Sequence, residues 1–117
     1  SLFHQKNYND SLQVFKELIK NDNSKYSIQA YYYSGLAKFY IKNYDKALEY
    51  WFEYLKREKR KDRIVQTKFL IANAYETTEK LKEAYNIYYS ILGEYPNTEV
   101  IRTRLESLYQ RRVARKR

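Results

Sequence analysis

Cysteine and methionine are both absent from this chain of 117 residues, and it holds one proline, two glycines and one histidine. Without cysteine there is no disulfide, zinc–thiolate cluster or thiol nucleophile, and the redox compartment stays open. So few glycines and prolines disfavour long loops and favour an all-helical chain. No run of about 18 apolar residues occurs, so no transmembrane helix is expected. Because methionine is missing, Ser1 is not expected to be a translation start. The chain reads as a processed mature protein or an excised domain, from which any signal peptide or lipid-attachment site would already be gone. No glycine-rich loop can cradle a phosphate, and no two-histidine or Asp-x-Asp-x-Asp spacing points to a metal or other cofactor. His4, the single histidine, lies at the chain end. Glu49 and Glu53 stand at i, i+4, but Lys46 and Lys56 flank them, which is the pattern of a solvated charged face. A non-enzyme with no catalytic residue is expected.

What the chain does have is aromatic surface and positive charge: fifteen tyrosines, five phenylalanines and a formal net charge of +9. Its length suits one domain or a short array and is too small for two independent cores. A basic chain is drawn to nucleic acid, anionic lipid or acidic partners. An equally open reading is that a Lys-, Asn-, Ile- and Tyr-rich composition reflects AT-rich codons.

Apolar residues recur at helical spacing along most of the chain. Residues 2–6 read as the tail of a helix and Asn7-Tyr8-Asn9-Asp10 as a turn with N-cap residues. Ser11, Leu12, Phe15, Leu18 and Ile19 follow at helical spacing, and Asn21-Asp22-Asn23-Ser24 ends that segment. A helix is predicted over 26–41, with small Gly35 and Ala37 on it. Lys42-Asn43-Tyr44-Asp45 is a turn, after which Ala47, Leu48, Trp51, Tyr54 and Leu55 share a face. Ile71, Ala72 and Tyr75 then lie at i, i+1 and i+4, and Ala84, Tyr88 and Ile91 at i, i+4 and i+7. Pro96 stops that helix, because it lacks an N–H and biases Tyr95 away from the α region. A last helix runs from 98 to about 114, with Val100, Ile101, Leu105, Leu108 and Tyr109 as its stripe.

These segments resemble the tetratricopeptide repeat, whose pattern is W-x2-L-G-x2-Y, then A-x3-F, then P. Lys68 stands in the Trp place, Ile71-Ala72 for Leu-Gly and Tyr75 for Tyr. Ala84-x3-Tyr88 and Pro96 complete the repeat. Ala47-x3-Trp51 and Ser11-x3-Phe15 repeat its second half upstream. Ser11 to Ala47 is 36 residues and Ala47 to Ala84 is 37. The excess over a strict repeat fits loops at 21–25 and 56–62. The resemblance implies an all-α, tetratricopeptide-type solenoid of about six antiparallel helices in a single domain. A partial repeat would occupy 2–23, a second repeat 24–60, a third 61–97, and a capping helix with a basic tail 98–117. The face of Leu12, Phe15 and Leu18 would lack a preceding helix, so the 2–6 segment, a second copy in a homodimer or another partner is expected to cover it.

In this family the first helix of each repeat lines a concave ligand groove. Carried over by the repeat match, the groove residues are Gln29, Tyr32, Tyr33, Leu36, Phe39 and Tyr40, with Gln66, Phe69, Leu70 and Asn73. Aromatic anchors with amides between them suit a peptide or helix of a protein partner. The alternative is that Tyr32, Tyr33 and Tyr40 simply pack on neighbouring helices. One subclass clamps C-terminal carboxylates with Lys, Asn and Arg; only Asn73 matches such a position, and Tyr32 and Phe69 stand where Lys is wanted, so that binding is not expected. Two basic clusters remain: Lys56, Arg57, Lys59, Arg60, Lys61 and Arg63 in a predicted loop, and Arg111, Arg112, Arg115, Lys116 and Arg117 in a tail. They read either as a solvated loop and a helix end suited to the negative dipole, or as contacts to an anionic membrane surface or acidic partner. Nucleic acid fits less well, since no recognised motif accompanies the charge. The stretches Gly35-x-Ala37-x-Phe39-Tyr40, Asn43-Tyr44-Asp45-x-Ala47 and Gly93-Glu94-Tyr95-Pro96-Asn97-Thr98 are similar to those of bacterial envelope tetratricopeptide proteins of the BamD type. That likeness implies a scaffold in outer-membrane β-barrel assembly at the periplasmic face of the outer membrane, a cytoplasmic setting being the alternative. The group's lipid-bearing cysteine is not in this chain.

Overall fold

Helix α1 covers residues 10–17, and α2 (Lys25–Tyr40), α3 (Tyr44–Arg57), α4 (Lys61–Thr77), α5 (Leu81–Ser90) and α6 (Thr98–Arg115) follow it. The computed structural model describes residues 10–17, 19 and 25–116, and no strand occurs among them. The chain is all-α, as its composition and periodicity predict. The expected features at 2–9 and 21–24, His4, and the side chain of Leu18 lie outside the described residues.

The helices form two compact units, 1–59 and 60–117. In the first, α2 and α3 pack as a hairpin. Ala30, Ala37, Ala47, Trp51 and Tyr54 are buried, together with Leu12 of α1. On the apolar face of α1, Leu12 is buried and the Phe15 ring stacks on Tyr33 at 5.9 Å; the 2–6 segment expected to cover that face lies outside the described residues. In the second unit α5 packs on both α4 and α6. Its core joins Val65, Ala72, Leu81, Ala84, Tyr88 and Ile91 to Ile101, Leu105 and Leu108 of α6. Burying those three α6 side chains contributes roughly 1.5–3 kcal/mol each. The α6 stripe read from periodicity is therefore its packed face, except that Tyr109 is exposed.

The two hairpins repeat each other down to the backbone. The α2–α3 turn has hydrogen bonds from Ile41 N–H to the Ala37 carbonyl (3.2 Å), Lys42 to Phe39 (3.0 Å), Asn43 to Lys38 (2.8 Å) and Ala47 to Asn43 (3.0 Å). The α4–α5 turn has the same four, each 37 residues on: Thr78 to Ala74 (3.1 Å), Glu79 to Glu76 (3.1 Å), Lys80 to Tyr75 (2.8 Å) and Ala84 to Lys80 (3.0 Å). Both are Schellman ends, which place one residue in the left-handed region. Those residues are Lys42 (φ 66°) and Glu79 (φ 64°), again 37 apart. The packing repeats too. Gly35 lies against Trp51 of α3, and 37 residues further on the pair is Ala72 and Tyr88, both fully buried in one core.

Capping follows the sequence in part. The Asn43 side chain accepts the Lys46 N–H at 3.3 Å, and Asn97, after Pro96, accepts the Val100 N–H at 3.2 Å. Each such cap stabilises its helix by about 1 kcal/mol. The predicted basic loop is mostly not a loop. Helix α3 continues through Arg57 and α4 starts at Lys61, so only 58–60 are non-helical. Good helix formers on both sides and the Asp62 carboxylate in the first turn of α4 favour the longer helices.

Candidate functional site

The expected groove residues fall on α2 and α4, in different units, and most are engaged inside their own hairpin. On α2, the Tyr32 ring lies 5.3 Å from Tyr54, and its carbonyl accepts the Trp51 indole N–H at 3.2 Å. Phe39 packs 5.6 Å from Trp51 and 5.5 Å from Tyr44. The Gln29 amide donates to Glu58 at 3.2 Å, and the same carboxylate oxygen accepts the Tyr54 hydroxyl at 2.7 Å. Leu36 is half-buried. Tyr33 and Tyr40 remain 48% and 57% exposed. With exposed Tyr26 they stand at i, i+7 and i+14, which is one stripe along α2.

On α4, the Phe69 ring stacks on Tyr95 at 4.5 Å and meets Tyr88 edge-on at 5.8 Å. The Tyr88 hydroxyl lies between two acceptors, the Asn73 side-chain oxygen and Glu76 (3.0 Å), which share its one proton. Leu70 is half-buried and Gln66 exposed. Tyr88 is buried, and desolvation pushes its phenol well above the ordinary 10.0, with the Glu76 charge adding to the rise. Desolvation also raises Tyr75, with Glu83 in support.

Much of the positive charge has partners. Lys56 and Arg57 converge on Glu53 at 3.1 and 2.6 Å, and the Arg57 guanidinium lies 4.4 Å over the Tyr31 ring. The two cations, Arg57 first, hold the Glu53 carboxyl below its usual range. Arg60 pairs with Asp62 and Lys61 with Glu94, each at 3.4 Å. Lys59 is exposed and Arg63 half-buried. In the tail, Arg111 bridges Glu76 (3.2 Å) and Glu79, Arg115 reaches Glu79 at 2.8 Å, and Arg104 joins Glu76 at 3.5 Å. Arg112 lies 5.5 Å over the Tyr85 ring. Lys116 is exposed, and Arg117 lies outside the described residues. The arginine-rich end of α6 is thus a clasp onto the end of α4. The sequence reading passed over Glu76 and Glu79. Their i, i+3 spacing, facing Arg111 and Arg115 at i, i+4, is the signal for them, but only the return of α6 pairs the two.

Among the described residues, no group of three or more acidic or histidine side chains is placed to hold a metal, and no helix is long and apolar enough to cross a membrane. No protein-family model matches this chain, and no curated protein matches it.

Proposed function

We propose that the chain is a tetratricopeptide-type scaffold that binds a peptide or helix of a protein partner. The observation that carries this reading is the internal repeat itself. Two hairpins 37 residues apart share a turn and its left-handed residue, and each buries a small residue and an aromatic ring at matching positions. Repeats of this kind stack into solenoids that present extended binding surfaces. The anchoring surface is the exposed stripe of Tyr33 and Tyr40 on α2. Tyr32 and Phe39 hold the first hairpin in shape, and Phe69 and Asn73 the second. Exposed tyrosines supply large contact area with few rotatable bonds, and they are frequent interface hot spots. A bacterial-envelope setting with a role in outer-membrane protein assembly belongs to the same proposal, and it rests on the Gly93–Thr98 likeness.

The test is site-specific photo-crosslinking in the source cell. A crosslinking side chain replaces Tyr33, Tyr40 or, as a control, exposed Glu49. One protein captured at Tyr33 and Tyr40 but not at Glu49, with the crosslink in a single segment, supports the scaffold reading and identifies the partner. The same capture pattern at all three positions overturns it.

A further inference from the structure

A second surface, within 60–117, combines positive charge with exposed aromatic faces. On α5, Lys82, Tyr85 and Tyr89 occupy i, i+3 and i+7, one side of the helix. On α6 and its C-cap, Tyr109, Arg112 and Lys116 occupy i, i+3 and i+7. The two rows are coupled where Arg112 lies over Tyr85 at 5.5 Å. Because α5 and α6 pack together, the rows form a ladder with cations at one end and tyrosines at the other. At the cationic end is an open recess of about 310 Å³. Lys80, Lys82, Arg112 and Lys116 line it, opposed by Glu83, while Glu79 is already held by Arg111 and Arg115. At the aromatic end Tyr89 is 62% and Tyr109 54% exposed, and Tyr85 and Tyr89 lie near-parallel, their centroids 6.4 Å apart.

We propose that this ladder binds single-stranded nucleic acid, its phosphates at the Lys80/Lys82/Lys116 recess and its bases stacked on Tyr89 and Tyr109. The chemistry is that of sequence-tolerant strand binding: cations follow the backbone and aromatic rings take the bases. Length favours a strand over a lone nucleotide. Lys82 to Tyr89 spans roughly 10 Å of helix, about three stacked nucleotides at ~3.4 Å each. The overall +9 charge favours the encounter. The aromatic rows separate this site from attraction by net charge alone.

The test measures fluorescence anisotropy of a short labelled single-stranded RNA of mixed sequence with the full chain. Circular dichroism confirms that each variant is folded. Tyr89→Ala and Tyr109→Ala are each expected to weaken binding about tenfold or more, and Tyr89→Phe and Tyr109→Phe to keep it. Lys82→Gln/Lys116→Gln is expected to weaken binding and flatten its salt dependence. Lys46→Gln/Lys59→Gln, which removes the same charge from exposed positions in 1–59, is expected to change it far less. Equal losses in the two lysine pairs, or alanine variants that bind like the original, reduce the effect to bulk charge and overturn the proposal. So does adenosine monophosphate competing as well as the strand, or binding to phosphatidylglycerol vesicles but not to RNA.

Discussion

Adding one methyl group at Gly35 should damage the first hairpin although it improves the local helix. A Cβ there would lie 2.2 Å from Trp51 Nε1, 2.4 Å from Cδ1 and 2.8 Å from Cε2. Trp51 is fully buried, and its indole donates to the Tyr32 carbonyl. It cannot swing aside without breaking that bond, worth about 1 kcal/mol. Overpacking of this kind costs about 1–3 kcal/mol. Helix propensity returns roughly 1 kcal/mol on replacing Gly by Ala. Gly35→Ala is therefore expected to lose about 1–3 kcal/mol in urea unfolding followed by far-UV circular dichroism. Emission of Trp51, the chain's one tryptophan, should also move. The second hairpin shows the cure: its corresponding pair is Ala72 with the smaller ring of Tyr88. In a Trp51→Tyr background, Gly35→Ala should cost close to nothing, a coupling of at least about 1 kcal/mol across the double-mutant cycle. If Gly35→Ala stabilises the chain equally in both backgrounds, the close contact does not constrain it and the reasoning fails.

Three further outcomes follow from the same geometry. Lys42→Gly should stabilise the chain by about 0.5–1 kcal/mol by relieving a left-handed Lys; Glu79→Gly, at the corresponding turn, should gain less or lose stability, because it also frees Arg111 and Arg115. Paired thermal melts compare the two. Glu76→Gln removes a largely buried carboxylate shared by Arg104, Arg111 and Tyr88, and should cost about 1–3 kcal/mol; a loss no larger than that of an exposed Glu49→Gln, in urea unfolding, would sink the clasp. Tyr88 keeps its proton in the folded chain while the unfolded chain ionises near the ordinary 10.0. Its contribution is complete below about pH 10 and is lost as pH rises above it. Tyr88→Phe should lower stability at neutral pH and shrink the alkaline loss, read from urea midpoints between pH 8 and 11.

The all-α class was legible because 3.6-residue periodicity and the scarcity of glycine and proline stand in the sequence itself, although α5 ends at Ser90 and not at the stop expected from Pro96. The repeat was legible because Ala47-x3-Trp51 and Ala84-x3-Tyr88 stand at a fixed interval. Missing from that reading was which tyrosines would be exposed. Tyr32 and Tyr33 are neighbours of identical chemistry; one packs on Tyr54 while the other is half exposed. They stand about 100° apart on the helix, and the packing of α3 decides which side of α2 is covered. The basic clusters were misleading for a related reason: charge is counted along the chain, but pairing happens across helices.

The sequence by itself determined the helices and the 37-residue interval, because these depend on side chains a few positions apart. It also determined the excess of positive charge. Only the tertiary structure decided where that charge goes. The packing of α6 on α5 brings Arg104, Arg111 and Arg115 to Glu76 and Glu79, more than twenty residues away in sequence. The same packing sets Arg112 on Tyr85 and leaves Lys82, Lys116, Tyr89 and Tyr109 facing outward. Such contacts between distant positions follow from how helices pack, a long-range balance of buried area and pairing that no local pattern encodes.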